Sequence, residues 1–353
     1  MNLNTILFLL IPIAAISFSG LQVAEGLCLL IFIYEFIRIN KLSLYIITLS
    51  FFSVFFILGD VSITALSQIV KASIIPLLAL RVTNLKTNKI NSNQNNFYMI
   101  FIVLCLVSVL INFQLPFGEY LSYKTGLFRH SVDLAVFVVF SVYFLVKYTN
   151  LPRIISLPLT IITAALSGSR TLMLLTPMVY FLMKPISGLV VFLILFSSVF
   201  IFWDFIIFFV PDKMVFVFEL AKDFDFKKII YDDSMRVRFK NFSSIFEQMS
   251  NSNWLFGMSR AEVLSIAGGA SGDPATDNIF LYKMIFFGIP AGVILPILNL
   301  YFIQSLLKEN SIFIVLLLYG MLQDWLSNGF IMFIIYVFCS LIASKNSQSP
   351  ITK

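Results

Sequence analysis

Apolar residues in this chain come in long continuous runs, not at strand-like alternating intervals. The runs cover residues 3–19, 21–38, 42–59, 61–81, 97–113, 132–147, 154–168, 171–184, 187–209, 278–306, 312–324 and 329–343. A helix of about 20 apolar residues crosses the hydrocarbon core of a bilayer, and most of the runs approach that length. A transmembrane β-barrel needs strands of about ten residues alternating apolar and polar, which is not the pattern here. The pattern predicts an all-α, polytopic transmembrane helical protein of about 12 spans. The runs 154–168 and 171–184, and likewise 312–324 and 329–343, are short, so one of these pairs is alternatively a broken or re-entrant element. Three blocks follow: nine membrane helices with short loops in residues 1–209, a long loop in 210–277, and three more helices with the C-terminus in 278–353. No internal repeat is visible.

Composition agrees with this pattern. Of 353 residues, 59% are hydrophobic and 12% charged, about half the charged share of a soluble domain, and the mean hydropathy is +0.95. Cys28, Cys105 and Cys339 all fall inside apolar runs and read as small core residues, not a disulfide framework. The first run lacks a basic leader and a small-residue cleavage site, so it is expected to stay as a membrane helix. A net charge of +6 would suggest nucleic acid in a soluble protein. Here the positions of the basic residues explain it, and no nucleic-acid partner is implied. Arg38 and Lys41; Arg81, Lys86 and Lys89; Lys147 and Arg153; Lys184; Lys308; and Lys345 with Lys353 fall on alternate connections, with Glu309 the one acid among them. The intervening connections carry Glu25, Asp60, Glu119 and Asp324. Lys and Arg mark the cytoplasmic side, which places both termini in the cytoplasm and the long loop outside.

Candidate chemistry therefore faces outward. Arg170 sits in the short outer turn "SGSR" between two spans. It either snorkels to lipid phosphate or holds a phosphate or diphosphate with its planar guanidinium. In the long loop, Met235, Phe239, Phe242, Phe246 and Met249 step by four, three, four and three, the spacing of one helix face, with Ser234 as the expected N-cap. Arg236, Arg238 and Lys240 lie off that face. The helix either rests on the membrane with its basic side on headgroups or forms a lid whose arginines point at an anionic substrate. Arg129 and His130, the only histidine, stand at the outer mouth of the run 132–147. One histidine and no cysteine in the loop make a metal site improbable chemistry, and no cofactor is implied. Asp277 and Asn278 open the run 278–306; Asp277 serves there as an N-cap or as a general base. Lys283 lies about a turn and a half deeper. Lys71, in the middle of the fourth run, needs a cavity or a partner.

These pieces occur in a recognisable order. Gly126, Phe128, Asp133, Leu134 and Ala135 enter a middle helix, and Ser167 to Arg170 join two later spans. In the long loop come Arg238, Phe242 and Leu255-Phe256-Gly257. Asp277 and Asn278 open a helix carrying Gly288-Ile289-Pro290-Ala291-Gly292. Together they resemble the superfamily of O-antigen polymerases and ligases, the Wzy-type and WaaL-type membrane glycosyltransferases, over residues 120–330. The ligase branch has a histidine before the asparagine of the last motif, whereas this chain has Asp277, which favours the polymerase branch.

The resemblance implies a substrate, oligosaccharide repeat units on undecaprenyl diphosphate, and a place for the reaction, the outer face of the bacterial inner membrane. It also implies partners in the same membrane, a flippase that delivers the units and a chain-length regulator. The growing chain moves from its carrier diphosphate to a sugar hydroxyl of the next unit. That transfer needs cations over the departing diphosphate and a base at the acceptor. Arg170, Arg238, Arg236 and Arg129 are the candidate cations. Asp277 is the leading candidate base, by its place in the family pattern, with His130 its rival and Glu119 behind them. The competing readings are an O-antigen ligase and, from another class, a multi-pass transporter or flippase.

Overall fold

The first apolar run, 3–19, does not form one helix. Pro12 has no N–H to offer the carbonyl four residues back, and the run divides into α1 (Leu3–Leu9) and α2 (Ile11–Ala14), with Pro12 in the first turn of α2. The chain then pairs β1 (Ser17–Phe18) with β2 (Leu21–Gln22), antiparallel and two residues each, and enters α3 (Val23–Arg38). The structure is a computed structural model that describes residues 3–18, 21–38, 63–82, 92–113, 126–128, 130–149, 159, 162–163, 175–176, 178–179, 182–183, 233–267, 278–322 and 324–346. The expected spans at 42–59, 154–168, 171–184 and 187–209 lie wholly or largely outside these residues. The remaining elements are α4 (Ile63–Val82), α5 (Ser92–Leu110), α6 (Ser131–Tyr148), α7 (Asp233–Gln248), α8 (Asn251–Phe256), α9 (Arg260–Ala267), α10 (Ile279–Leu307), α11 (Asn310–Leu322) and α12 (Gly329–Asn346). Apart from the β1–β2 pair, regular structure in the described residues is all α-helical. No single described helix is long and apolar enough to cross a membrane. The two halves of α10 together meet that measure but are bent by 114°.

A helix apolar on every side has to be buried on every side. That describes α12, buried at every position from Phe330 to Ala343, and α6, buried from Asp133 to Leu145. α12 is the axis of the bundle, packed on α3, α4, α6 and α10. Phe338 meets Phe8, Phe137 and Phe140 with ring centroids 5.3 to 5.8 Å apart. The three cysteines are buried free thiols. In α4, Pro76 leaves the carbonyl of Ala72 without its helical donor. Asn299 of α10 supplies one, its Nδ2 donating to Ala72 O at 2.9 Å.

The expected single span 278–306 is broken. Gly288 takes φ 75°, ψ 170° inside α10, with Pro290 two residues on. The limb Ile279–Pro290 meets the limb Gly292–Leu307 at 114°, so the first limb lies across the end of the bundle. Gly292 sits inside the bend, where a Cβ would come within 2.5 Å of Met284 N.

Residues 233–267 fold onto this first limb. Ile245, Met249, Met258, Val263 and Ile285 form a small second core, with Phe246, Trp254, Ile266 and Phe286 around it. Of the apolar face expected on the loop helix, Phe246 and Met249 join this core together with Ile245; the side chains of Met235 and Phe239 lie outside the described residues. In its described C-terminal half the helix packs on the loop's own helices and on α10. The helix begins at Asp233, which puts the expected cap, Ser234, inside it. The closest contact is backbone to backbone. Met258 N donates to Ile285 O at 2.7 Å; a Cβ on Gly257 (φ 86°) would lie 2.3 Å from Phe286 C, and one on Gly288 would lie 2.1 Å from Leu255 O. Leu255-Phe256-Gly257 thus packs on Ile285 to Gly288, and the second motif, separate in sequence, enters this contact through Gly288.

Gly257→Ala and Gly288→Ala should each destabilise the purified protein by about 2 kcal/mol, because each adds a left-handed-region strain to a backbone clash. Gly26→Ala, with nothing within 4 Å of its Cβ, is the control and should leave the thermal midpoint unchanged or higher. Equal midpoints for all three variants would show that the close contact does not form.

Candidate functional site

The helix ends fall into two sets. At one pole, Arg81 Nε lies 2.6 Å from Glu35 Oε2, Tyr336 donates to Glu35, Lys147 pairs with Glu309 and Ser340 donates to Asn4 at 2.9 Å. At the opposite pole stand Glu25, Gln68, Lys71, Asp133, Lys283 and the turn Asp324 to Asn328, between α11 and α12. The first set contains the ends that bear Arg38, Arg81, Lys147 and Lys308; the second contains the ends that bear Glu25 and Asp324.

The second pole is the larger polar assembly. Glu25, in the first turn of α3, accepts from Lys71 Nζ and Ser67 Oγ, both on α4 and both at 2.9 Å. Lys71 therefore has the partner its sequence position demanded. Gly329 leaves the space for this carboxylate, since a Cβ there would sit 2.6 Å from Glu25 Oε1. Lys283, 1% exposed, projects from the first limb of α10 into the same pole. Its Nζ donates to Gln68 Oε1 at 2.9 Å and to Ser327 Oγ, and lies 3.7 Å from Asp324 Oδ2. Asp324 in turn accepts from the Ser327 hydroxyl and from the backbone N–H groups of Leu326 and Ser327. Asn328 caps α12 with its Oδ1 and donates from Nδ2 to the fully buried Asp133 at 3.0 Å. A buried ammonium is tolerable only with acceptors and counter-charge around it, and Gln68, Ser327 and Asp324 supply them to Lys283.

His130 occupies the N-cap position of α6, one turn before Asp133, and is half-buried. It therefore belongs to this pole, although its side chain does not cap the helix. Arg236 and Arg238 lie in the first half of α7, the helix whose second half docks on the first limb of α10; their side chains, with Arg129, Arg170 and Asp277, are outside the described residues. Asn278, not Asp277, is the N-cap of α10. Its Oδ1 accepts from Phe280 N at 2.9 Å and Leu281 N at 3.1 Å, and its Nδ2 donates to Met321 O at 3.0 Å. Among the described residues no three His, Cys, Asp or Glu side chains converge as metal ligands would.

Gln68, Ser327 and Asn328 went unnoticed in the sequence, and Glu25 and Asp324 served there only to mark a side. One signal pointed to them: ionisable residues inside apolar runs occur in pairs, and Lys71 and Lys283 each called for a carboxylate. Compared with protein-family models, curated proteins and solved structures, the chain has no match in any of the three.

Lys71→Met should destabilise the protein by about 2 kcal/mol or more, since it leaves Glu25 without its counter-charge. Glu25→Gln/Lys71→Met removes both charges and should recover most of that loss. Chemical or thermal unfolding of the purified protein measures both; additive losses in the double variant would mean that the two side chains do not interact.

Proposed function

We propose that this chain is a polytopic inner-membrane polysaccharide polymerase. It joins undecaprenyl-diphosphate-linked repeat units, for O-antigen or a related surface polysaccharide, on the outer face of the membrane. The observation that carries the reading is the meeting of two motifs. The loop sequence ending Leu255-Phe256-Gly257 and the helix sequence Gly288 to Gly292 are the parts of the chain that resemble O-antigen polymerases in the long loop and beyond it. They meet at Gly288, whose backbone packs on that of Leu255 and Phe256.

Two further observations support the membrane part of this reading. The ends grouped at each pole are the ends that Lys/Arg alternation assigns to one side. The flanks of the bundle expose large hydrophobic residues at helical spacing, Leu30, Ile33 and Ile37 on α3 and Val293, Ile297 and Tyr301 on the second limb of α10. Ridges of this kind suit lipid better than water. In this arrangement about 12 spans, counting those outside the described residues, leave both termini in the cytoplasm.

The chemistry assigns roles to the outer residues. Arg170 and Arg238, with Arg236 and Arg129, neutralise the departing diphosphate. Asp277 takes the proton of the acceptor hydroxyl as the carrier's oxygen leaves the sugar carbon; His130 is the alternative base. A transporter is the second reading. It is favoured by the helix broken at Gly288 and by the buried Lys283 and Asp324, features shared with transport sites built on interrupted helices.

A deletion strain separates the readings by its lipopolysaccharide ladder. The polymerase reading expects the core to carry a single repeat unit. Bare core with accumulated lipid-linked polymer would indicate a ligase, and complete loss of surface sugar a flippase. Within the polymerase reading, Arg170→Lys and Arg238→Lys keep the charge but lose the two-pronged donor geometry, and should remove most polymer at normal protein level. Asp277→Asn should collapse the ladder to single units. A full ladder from Asp277→Asn, with none from His130→Ala, transfers the base role to the histidine.

A further inference from the structure

The first limb of α10 has two working faces. On one, Ile285 and Phe286 complete the small core of the loop, and Phe286 to Gly288 receive its backbone. On the other, Lys283 reaches into the pole of the bundle. Asn278 pins the start of the limb to the end of α11. At its far end the chain turns through 114° at a glycine and a proline, where little besides packing resists hinging.

We propose that Lys283 is the positioning residue of the transfer reaction, an inference that rests on the polymerase reading. Its ammonium is the limb's one charged anchor among the described residues. It bonds to α4 through Gln68, and to the turn before α12 through Ser327 with Asp324 behind it. The limb carries α7, because Ile245 and Met249 share a core with Ile285. Arg238 lies seven residues, about two helical turns, before Ile245 on that same helix. Fixing the ammonium thus fixes the orientation of α7 over the pole. Catalysis by placed cations tolerates little misplacement; a shift of about 1 Å can cost on the order of a hundredfold in rate. Lys283 touches no reacting atom in this account and acts through the helix it holds.

The test uses full-length protein in lipid nanodiscs, with repeat units on undecaprenyl diphosphate extracted from the deletion strain as substrate. Lys283→Met keeps the length and apolar stem and removes the charge. Gln68→Met, a milder variant, cuts only the tie to α4 and leaves no buried charge without its carboxylate. Both should raise amide hydrogen exchange in residues 279–287 and 251–258 together. Both should lower kcat, Lys283→Met by about tenfold or more, while KM for the lipid-linked unit changes by less than about threefold. A merely structural lysine would reduce the amount of folded protein and leave the kcat of what folds unchanged, and that outcome overturns the proposal. So does a fall in kcat with unaltered exchange in the two segments, or altered exchange with normal kcat. Failure of the polymerase reading is seen separately: wild-type protein would then make no polymer, while the exchange data still report whether Lys283 holds the limb and the loop together.

Discussion

The bend in α10 is the constraint on which the rest of this molecule depends. A straight helix from Ile279 to Leu307 would run along the bundle and leave the loop helices nothing to sit on. Gly288 in the left-handed region, with Pro290 removing the next donor, turns the first limb across the pole. That turn makes a shelf. The loop's small core rests on its outer face, and the tightest contacts are backbone on backbone, where only glycine fits on either side. A side chain at Gly257 or Gly288 has nowhere to go, so the two segments meet in one register or not at all.

Burying charge imposes the second layer of order. An ammonium or carboxylate inside a packed bundle needs opposite charge and hydrogen bonds at close range. In this bundle the requirement is met at the two ends, by Glu35, Arg81 and Tyr336 at one and by Glu25, Lys71, Lys283 and Asp324 at the other. Between the poles α6 and α12 pack almost entirely through apolar and aromatic side chains. These contacts are non-directional and give cohesion. Ion pairs have fixed partners, and they select which helix stands beside which.

Much of the architecture could be read from the sequence, and the failures have physical causes. Helical structure followed from the long apolar runs, but which of them are buried on every side, α6 and α12, did not. The C-terminal part of the stripe on α7, Phe246 and Met249, is legible from its four-three spacing, although Ile245 beside it is not part of that pattern. The first run was misread as one helix because hydropathy does not register the donor missing at Pro12. The run 278–306 was misread for the same kind of reason, since Gly288 and Pro290 are apolar and keep the average high while breaking the geometry. At the site, a buried lysine announces that it has a partner and is silent about which one. Gln68, Ser327 and Asp324 lie far from Lys283 in sequence, and only the bend brings that lysine over them. Asn278 and Asp277 were equally good caps by composition; the carbonyl of Met321 gives the asparagine amide a use that a carboxylate lacks.

The bond from Asn299 to Ala72 has a consequence for the order in which the protein is made. The two residues are separated by 227 positions, and Glu35, Gln68 and Asp133 each also have a polar partner that arrives late, at Tyr336, Lys283 and Asn328. The amino-terminal helices thus leave the ribosome before the side chains that satisfy the Ala72 carbonyl and the Gln68 amide, while Arg81 is already at hand for Glu35. Their final arrangement waits for the last few dozen residues. A nascent chain that stops before α10 holds all of α3 to α6 but none of these distant partners.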